Sequence, residues 1–324
     1  MLRLLLWFAL WCFGMVVLAG LALRGWVGDA LIVTRYTGYA MPWLAVVLVP
    51  GAILSGRAGH WWLAFVLSAG AALVAVHHAS LFRYRPQLAT PPSAIQLRVL
   101  SYNTWSKNTA DERIAEVVIE ADPDIVLLQE ITDEVFERLL VRLREHVSPL
   151  HAVHDGELLQ AVVSRHPLER RPSMRHKGQA QNVVVRSPAG PISVYNVHPL
   201  RAGGWRKRYG QVTDLLEQEI LLESGPVLVG GDFNVTPQSQ MYLLLSRHLR
   251  NAHDEAGSGL GFTFPTSART FRGIPLVPLV RIDHIFVSGH FLALGAGTID
   301  DAGGSDHRPV FAELAARKTA GGSE

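Results

Sequence analysis

The sequence predicts an α/β fold in which two stacked, mostly antiparallel β-sheets have helices outside them, preceded by three transmembrane helices. Two observations support this prediction. Three long apolar stretches occupy the amino-terminal quarter of the chain. After residue 95, predicted strands, which are alternating or short apolar runs, outnumber predicted helices, and many are separated by short turns. Strands that follow one another closely favour stacked antiparallel sheets.

The composition narrows the class of protein. The chain has 324 residues, 48% of them hydrophobic, and its mean hydropathy is +0.18. This value is high for a purely soluble protein, and the apolar excess lies at the amino-terminal end. The formal net charge of +2 is too small to indicate nucleic-acid binding by itself. The sole cysteine, Cys12, excludes an intramolecular disulfide and a cysteine metal site.

The three apolar runs predict transmembrane helices. The first, at 4–23, is uncharged over 20 residues, which is long enough to span a bilayer. The second, at 36–56, contains two prolines, and the third lies between Arg57 and Arg83. Aromatic residues lie largely near the ends of the runs, as in interfacial belts. A signal peptide is the rival interpretation of the first run, but no clean small-residue cleavage site follows it. One anchor followed by buried soluble helices is the alternative to three spans.

The arginines bear on the orientation of the chain in the membrane. Three spans place the amino terminus and the large domain on opposite sides. The arginines divide two against four between those sides, with Arg3 and Arg57 on the first and Arg24, Arg35, Arg83 and Arg85 on the second. Taken literally, this excess of positive charge predicts a cytoplasmic large domain.

A change of composition marks the domain boundary. Residues 87–95 (QLATPPSAI) form a linker rich in proline, serine and alanine, without periodicity. We therefore divide the chain into a membrane region at 1–86, this linker at 87–95, a folded domain at 96–315 and a disordered tail at 316–324.

Periodicity predicts the elements of the folded domain in chain order. Strands are expected at 95–102, 124–129, 158–164, 182–186, 192–197, 226–229, 282–288 and 309–314. Helices are expected at 111–121, 133–144, 206–222 and 241–249.

The most informative motif follows the strand at 226–229. That strand ends in two glycines, which permit a sharp turn and a close approach to a ligand. Asp232 and Asn234 come next, and in extended geometry residues two apart point to the same side. Asp232 can hold a cation or polarise a water, and Asn234 can donate to a phosphate oxygen. Thr236 and Pro237 are expected to begin the next helix. The alternative is an ordinary Asx-turn at a strand end.

Polar side chains recur where the predicted strands end, which indicates a common rim. They are Asn103, Glu130, His198, Asp232, Asn234, Asp283, Asp306 and His307. Glu130 and Asp306 offer the hard oxygen ligands that Mg²⁺ or Mn²⁺ prefers. His307 can act as a base on water or stabilise a phosphoryl group, with Asp283 to orient it. The remaining amides and His198 can donate to phosphate oxygens as charge develops.

These motifs occur in the order found in the endonuclease/exonuclease/phosphatase superfamily, which the chain resembles over roughly 96–315. The matching segments are Asn103, Gln129-Glu130, Asn196-Val197-His198, Gly231-Asp232-Phe233-Asn234, Ile282-Asp283-His284 and Ser305-Asp306-His307-Arg308-Pro309. The superfamily includes pancreatic-type deoxyribonucleases, abasic-site endonucleases, inositol polyphosphate 5-phosphatases and neutral sphingomyelinases. The resemblance implies a four-layered α/β sandwich and hydrolysis of phosphoric ester bonds.

The resemblance also implies a metal site. By position, Glu130 binds the divalent metal, which is Mg²⁺ or Mn²⁺. Asn103 helps to hold the metal and the phosphate, and Asp306 supports the metal or a water molecule.

The catalytic roles follow in the same way. The resemblance implies that Asp232 orients or deprotonates the attacking water and that Asn234 contacts the scissile phosphate. It implies that His198 stabilises the pentacovalent state. His307, paired with Asp283, is then the acid/base or phosphate-binding histidine. The group that deprotonates water stays open.

The substrate is expected to be selected by loops. Residues 201–209 (RAGGWRKRY) follow His198, and Arg201, Arg206 and Arg208 are the candidates for substrate binding. A funnel for nucleic acid, a patch against anionic lipid headgroups and a solvated helix start are the three interpretations of this segment.

Two further arginines, Arg272 and Arg281, are expected to add charge near the site. Because the membrane region lies only a short linker away, tethering favours a membrane-borne substrate over duplex DNA. The sequence predicts the lipid bilayer as a partner and indicates no protein partner.

The fusion of three apolar helices to this domain resembles a bacterial subgroup that includes teicoplanin-resistance-type membrane proteins. This resemblance implies a multi-pass protein of the inner cell membrane with an extracytoplasmic catalytic domain, in conflict with the arginine count. It also implies a lipid-linked phosphate or pyrophosphate as substrate. The alternatives are a membrane-tethered nuclease acting on DNA or RNA and a phospholipase C-like or sphingomyelinase-like diesterase. A non-catalytic membrane scaffold is the remaining class.

Overall fold

The computed structural model describes residues 1–79, 94–172, 179–199 and 204–316. They form two compact units, one of amino-terminal helices and one of α/β structure. The predicted linker and tail lie almost wholly outside the described residues, as do Arg83, Arg85 and Arg201. The proposed division of the chain at 86, 95 and 315 therefore stays a prediction.

The amino-terminal unit consists of three helices, α1 (Leu2–Val27), α2 (Ile32–Arg57) and α3 (Trp61–His78). Each is long and apolar enough to cross a membrane. Helix α2 continues through Pro42 and Pro50. Leu48, Leu63 and Leu67 are buried between the helices, while most side chains of this unit remain exposed. An apolar surface around a small packed seam is what a lipid environment requires.

The α/β unit contains two six-stranded sheets and a two-stranded hairpin. The first sheet comprises β1 (Ile95–Asn103), β2 (Ile125–Gln129), β3 (His151–Asp155), β4 (Gln160–Ser164), β13 (Phe291–Thr298) and β14 (Val310–Ala316). The second comprises β5 (Leu168–Arg170), β6 (Ala180–Ser187), β7 (Gly190–Val197), β8 (Val227–Asp232), β9 (Arg250–Asn251) and β12 (Asp283–Val287). The strand order is β13-β14-β1-β2-β4-β3 in the first sheet and β5-β6-β7-β8-β12-β9 in the second. The hairpin is β10 (Thr270–Phe271) and β11 (Ile274–Pro275).

Five α-helices accompany these sheets in the described part of the unit. They are α4 (Asp111–Ala121), α5 (Asp133–His146), α6 (Gly204–Gln218), α7 (Gln240–Ser246) and α8 (Ala252–Ala256). A 3-10 helix, Ile220–Leu222, follows α6.

Strand alternation builds the layers. On β2, Ile125 and Leu127 belong to the core between the two sheets, whereas Val126 and Leu128 pack in the outer cluster with α4 and α5. On β8, Leu228 points inward and its neighbours pack in the cluster with α6 and α7. The result is the predicted four-layered sandwich of helices, sheet, sheet and helices.

One parallel strand pair in each sheet positions the functional residues. All other described strand pairs are antiparallel, but β1 pairs with β2 in parallel, and β7 pairs with β8 in parallel. The carboxyl ends of parallel neighbours lie at the same sheet edge. Asn103 on β1 is in register with Gln129, and Val197 on β7 is in register with Gly231. The next residues along the chain, Glu130 and His198, therefore leave their sheets at these edges.

The structure also corrects several element predictions. Helix α7 begins at Gln240, so Thr236 and Pro237 lie in the preceding turn and do not start the helix. The strand β13 was not predicted, because Gly295 and Gly297 interrupt its apolar alternation. The third apolar helix ends at His78, and its predicted continuation toward Arg83 lies outside the described residues.

Candidate active site

The rim predicted from the strand ends forms a cluster of acids, amides and histidines at one end of the two sheets. Asn103 stands at its centre, because its side-chain nitrogen donates to Glu130 Oε1 at 3.2 Å and to Asp232 Oδ2 at 3.1 Å. Its own side-chain oxygen accepts from the backbone N–H of Trp105 at 3.0 Å. One buried amide thus connects a carboxylate from the first sheet with a carboxylate from the second.

Glu130 is held in its charged form. Its second oxygen accepts from both the backbone N–H and the hydroxyl of Ser106, each at 3.2 Å. Partial burial opposes the charge, but the hydrogen bond from Asn103, the nearby His198 and the Ser106 amide together hold the pKa of Glu130 below its ordinary value. The carboxylate is therefore available as an anionic ligand at neutral pH.

Asp232 is buried and surrounded by donors. Asn234 donates to it twice, from the backbone at 2.8 Å and from the side chain at 3.1 Å. The two glycines before it let the strands approach closely. A Cβ atom on Gly231, whose φ is +150°, would lie 1.9 Å from the carbonyl oxygen of Val197. Only glycine fits here, so the GD pair of the sequence motif follows from strand packing.

Three site residues have a left-handed backbone that side chains seldom adopt. The φ angles are +64° for Trp105, +53° for Glu130 and +55° for Asn234. Asparagine tolerates this region, but tryptophan and glutamate rarely occupy it. Such conformations persist where the surroundings impose them, and they cluster at functional sites. Here they aim the Glu130 carboxylate and the Asn234 amide back toward the rim.

Glu130, His198 and Asp232 are arranged as ligands for a cation. His198 Nε2 lies 3.7 Å from Glu130 Oε1 and 3.7 Å from Asp232 Oδ2. One ligand atom from each of the three residues falls within 4.8 Å of the others. The two carboxylates supply the hard oxygen ligands that Mg²⁺ or Mn²⁺ prefers, and the imidazole adds one nitrogen ligand. The residues present therefore fit the predicted metal.

His307 and Asp283 form a second, fully buried pair. His307 Nδ1 lies 2.9 Å from Asp283 Oδ2, and His307 Nε2 lies 3.7 Å from Asp232 Oδ2. Asp283 and Asp232 face each other in register across β12 and β8, which brings both carboxylates to one side of the sheet. Burial opposes a charge on His307, but Asp283 and Asp232 raise the pKa of His307 to about 9. At neutral pH the ring is an imidazolium and a proton donor.

Asp306, which was expected to support the metal or a water molecule, pairs with an arginine, while the candidate metal cluster consists of Glu130, His198 and Asp232. Its carboxylate accepts from Arg269 Nε at 2.5 Å and pairs with a terminal nitrogen of the same guanidinium. Its other oxygen is 4.0 Å from His307 Nε2. Glu130 thus lies close to His198 and Asp232, whereas Asp306 is paired with Arg269.

Arg269 was not identified from the sequence. Its guanidinium lies 5.5 Å from the ring centroid of Trp105 and 5.4 Å from that of Phe264, and the Phe264 ring is 4.8 Å from the ring of His307. Arg269 therefore forms a wall beside the site. No local pattern marks it, because its partner Asp306 is remote along the chain.

The predicted substrate arginines are dispersed. Arg201 lies outside the described residues, while Arg206 is exposed and Arg208 is half-buried in the first turns of α6. Arg272 is exposed in the β10–β11 hairpin. Arg281 does not add charge near the site as expected, because it is buried and paired with Asp254 at 2.8 Å.

This geometry can be compared with known proteins. A sequence model described as the "Endonuclease/Exonuclease/phosphatase family" matches residues 100–307, which include every rim residue named above. The chain belongs to this family. Its members are phosphoester hydrolases that typically use divalent metals, so the chain has a phosphoesterase-type fold with a candidate metal cluster.

Curated proteins are also similar to this chain in sequence. A UPF0294 protein of Vibrio campbellii is 26% identical over 230 residues, which cover 67% of this chain and 76% of that protein. A UPF0294 protein of Vibrio cholerae is 24% identical over 283 residues, which cover 78% of this chain and 96% of that protein.

Solved structures of the family share the fold. An endonuclease/exonuclease/phosphatase family protein from Bacteroides thetaiotaomicron matches with a TM-score of 0.55 and 21% identity, over 69% of this chain and 99% of that chain. D. rerio TDP2, solved with a single-strand DNA product, matches with a TM-score of 0.53 and 16% identity, over 68% and 98% of the two chains. At these identities the likeness concerns the fold alone.

Proposed function

We propose that this protein is a membrane-anchored, divalent-metal-dependent phosphohydrolase that cleaves a phosphoester or pyrophosphate bond of a lipid-linked substrate by attack of water. One observation carries the proposal. A cluster of carboxylates and histidines that could hold a divalent metal, within a domain of the endonuclease/exonuclease/phosphatase family, occurs in one chain with three helices of membrane-spanning length. Only residues 79–94 separate the last of these helices from the first strand of the α/β unit. A substrate dissolved in the same bilayer meets such an enzyme at high local concentration.

Each side chain has a task in this proposal. Asp232, held by Asn103 and Asn234, accepts a proton from or orients the attacking water. Asn234 donates to the scissile phosphate, and His198 donates to the oxygen on which charge builds. A metal held by the Glu130 carboxylate would supply Lewis-acid stabilisation of the phosphoryl oxygens, and in this scheme His198 and Asp232 act on the substrate and the water and are not ligands of that metal.

His307 acts as a donor in the same scheme. Asp283 holds the ring by Nδ1 at 2.9 Å, which leaves Nε2 directed at the rim near Asp232. An imidazolium there neutralises the charge of the pentacovalent phosphorus and can protonate the leaving oxygen. We assign the orienting role to Asp283, which stays behind the ring.

Phosphate release by the full-length protein in detergent with Mg²⁺ tests the proposal. A polyprenyl pyrophosphate, a phospholipid and single-stranded DNA are offered in parallel. His307→Ala serves as the inactive variant, and His248→Ala, an exposed histidine on the same unit, serves as the matched control. Lipid turnover that is lost in His307→Ala and retained in His248→Ala is expected. DNA cleavage without lipid turnover would reject the lipid-linked substrate.

A membrane-tethered nuclease is the second candidate, and the start of α6 favours it. Trp205 and Tyr209 stack there with ring centroids 5.4 Å apart, and Arg206 and Lys207 are exposed beside them. Aromatic faces with cations bind single-stranded nucleic acid. Neutralising Arg206, Lys207 and Arg208 together with glutamine then lowers DNA cleavage and flattens its salt dependence. DNA cleavage equal to that of Arg247→Gln, a control on another surface segment, counts against the nuclease.

The side of the membrane that carries the α/β unit belongs to the same proposal. We favour the extracytoplasmic side of the inner membrane, on the resemblance to the teicoplanin-resistance-type subgroup. Protease accessibility of the unit in intact cells after removal of the outer membrane decides between the two sides. Protection in intact cells and cleavage only after lysis would place it in the cytoplasm.

A further inference from the structure

The β10–β11 hairpin is unusual for a surface element of this unit. Phe271 and Ile274 pair across its two strands, and the turn between them consists of Arg272 and Gly273. Both turn residues have positive φ, +52° and +81°, as tight two-residue hairpin turns require. The defined turn shows that the hairpin is an ordered element, and all of its side chains are exposed.

The exposed side chains of this segment are apolar. Phe271 is 63% exposed, Ile274 67% and Val277 64%. With Leu279, they make up four of the eight large exposed hydrophobic side chains in the described part of the α/β unit, all within nine residues. Single exposed hydrophobics are ordinary on soluble surfaces, whereas a concentration of them indicates an interaction surface. We call residues 270–279 the apolar hairpin.

The charged residues within the hairpin segment itself have one sign, whereas Asp300 and Asp301 line a cavity together with Leu276 and Val277 at its base. Residues 268–280 contain Arg269 and Arg272 and no acidic residue. The Arg272 guanidinium lies 5.6 Å from the ring centroid of Phe271, so a cation accompanies the apolar tip. Apolar side chains flanked by arginine suit the boundary between acyl chains and anionic headgroups.

The base of the hairpin is attached to the active site. The backbone N–H of Leu276 donates to the Arg269 carbonyl at 2.9 Å, and the N–H of Leu279 donates to the Phe264 carbonyl at 2.8 Å. Arg269 in turn binds Asp306, and the Phe264 ring contacts His307. The hairpin is thus continuous with one wall of the site.

We propose that the apolar hairpin inserts into the interfacial region of the lipid bilayer and so presents the active site to the headgroup layer. The inference rests on the proposed membrane-borne function for its purpose, but the contact itself depends only on the surface described above. In this arrangement Phe271 and Ile274 enter the acyl boundary, and Arg272 meets anionic headgroup phosphates. Arg269 and His307 then lie at the level where a lipid-linked phosphate emerges.

A fluorescent probe on the hairpin tests the contact directly. In a Cys12→Ala background of the full chain, Ile274→Cys is labelled with an environment-sensitive dye. The protein is placed in nanodiscs of phosphatidylethanolamine and phosphatidylglycerol, with and without lipids that carry a quencher in the acyl chain. The matched controls are Val141→Cys and Leu222→Cys, two exposed apolar positions outside the hairpin.

Acyl-chain quenching of the Ile274 probe about twofold or more above both controls is expected. Quenching equal to that of the controls overturns the proposal. A blue-shifted emission without lipid quenching also overturns it, because the hairpin would then be covered by protein, such as a second copy of the chain.

A kinetic experiment separates this inference from the proposed function. Phe271→Asp with Ile274→Asp is expected to lower turnover of a bilayer-borne substrate about tenfold and to leave turnover of a water-soluble phosphodiester unchanged. Leu222→Asp is the control and changes neither. If the unmodified protein turns over no lipid substrate, the proposed function fails, and the probe experiment alone decides the hairpin. If the double variant matches the control on bilayer substrate, the hairpin has no role in presenting it.

Discussion

Two buried histidines at neighbouring points of the α/β unit have opposite chemistry. His307 lies on the rim side of β12, where the carboxylates of Asp283 and Asp232 raise its pKa to about 9. His284 lies on the other side of the same strand, packed against Phe233 and Tyr242. Burial, followed by the nearby Arg281, lowers the pKa of His284 to about 3.

The difference shows that burial alone does not decide the charge of a histidine. Both rings are removed from water, and consecutive residues of β12, Asp283 and His284, point to opposite faces of the sheet. The rim face supplies anions and keeps its histidine charged. The outer face supplies aromatic rings, a cation and one backbone acceptor, Val235 O at 2.9 Å, and keeps its histidine neutral. Of these two rings, His307 is the one that lies at the rim, where the proposed function needs a charged donor.

The largest expected effect comes from removing the Asp283 carboxylate, which contacts His307 on the rim side. Asp283→Asn keeps the shape of the side chain but cannot stabilise an imidazolium. We expect kcat to fall about 100-fold or more, because oriented proton donors contribute at least that much. Steady-state kinetics on whichever phosphoester proves to be the substrate measures this loss. Asp214→Asn, an exposed residue of α6, is the control, and retention of half the activity in Asp283→Asn would contradict the assignment.

The second prediction is that acid lowers the stability of the protein, because His284 on the outer side is neutral in the folded state. Unfolded His284 takes up a proton near its ordinary pKa of 6.5, whereas the folded ring resists protonation down to about 3. Protons therefore bind preferentially to the unfolded chain in this window, and stability present above pH 6.5 is lost as the pH falls. The loss is about 2 kcal/mol by pH 5. His307 does not offset it, since the stability that its raised pKa provides is fully present below pH 6.5.

Thermal unfolding of the full chain in detergent at pH 7 and pH 5 measures this effect. His284→Gln retains a side-chain N–H for the Val235 carbonyl and does not titrate. Its unfolding temperature is expected to fall less between the two pH values than that of the unmodified protein. Equal shifts in both proteins would place the acid sensitivity elsewhere.

A smaller effect is expected on the rim side when Arg269 is replaced. Arg269→Ala leaves the buried Asp306 without its cation, next to His307, and removes the wall between Trp105 and Phe264. We expect about a tenfold loss of kcat/KM, which Arg269→Lys restores in part because a point charge replaces the planar guanidinium. The ratio of the two variants is the informative number. Equal activity of both would mean that the charge on this residue is irrelevant.

The smallest effect concerns the outer side. The Tyr242 hydroxyl donates to Asp254, which also pairs with the buried Arg281. Tyr242→Phe removes that hydrogen bond and is expected to lower the free energy of unfolding by about 1 kcal/mol, with kcat unchanged. Urea titration and a kinetic assay on the same sample measure both. A large fall in kcat would show that the outer face is coupled to the rim.

Sequence periodicity predicted the strands that carry the site. β1 was predicted from its alternation and β2, β8 and β12 from short apolar runs, and the ends of all four agree with the structure within two or three residues. The hairpin β10–β11 was missed, because two-residue strands have no measurable period. Helix α7 was expected to begin at Thr236 and Pro237, a local capping signal that the tertiary structure does not follow, because the helix begins at Gln240.

The site was predicted residue by residue but not in its pairings. Polar residues at strand ends identify Asn103, Glu130 and Asp232, because sheet topology brings such ends together. The partner of Asp306 was missed, since Arg269 lies 37 positions away and no motif surrounds it. Arg281 was expected to add charge near the site, but it is buried and Asp254 compensates its charge. Ion pairs between residues that are remote in sequence are set by the tertiary structure, and sequence patterns do not reveal them.

The last strand of the unit has a consequence for biosynthesis. β14 pairs along its whole length with β1, the first strand, and Asp306 and His307 immediately precede it. A nascent chain that has not yet delivered residue 316 from the ribosome therefore carries Glu130, His198 and Asp232 beside an open sheet edge and lacks its imidazolium. On the proposed function, a chain that stops before the SDHRP segment lacks His307 and is expected to hydrolyse no substrate.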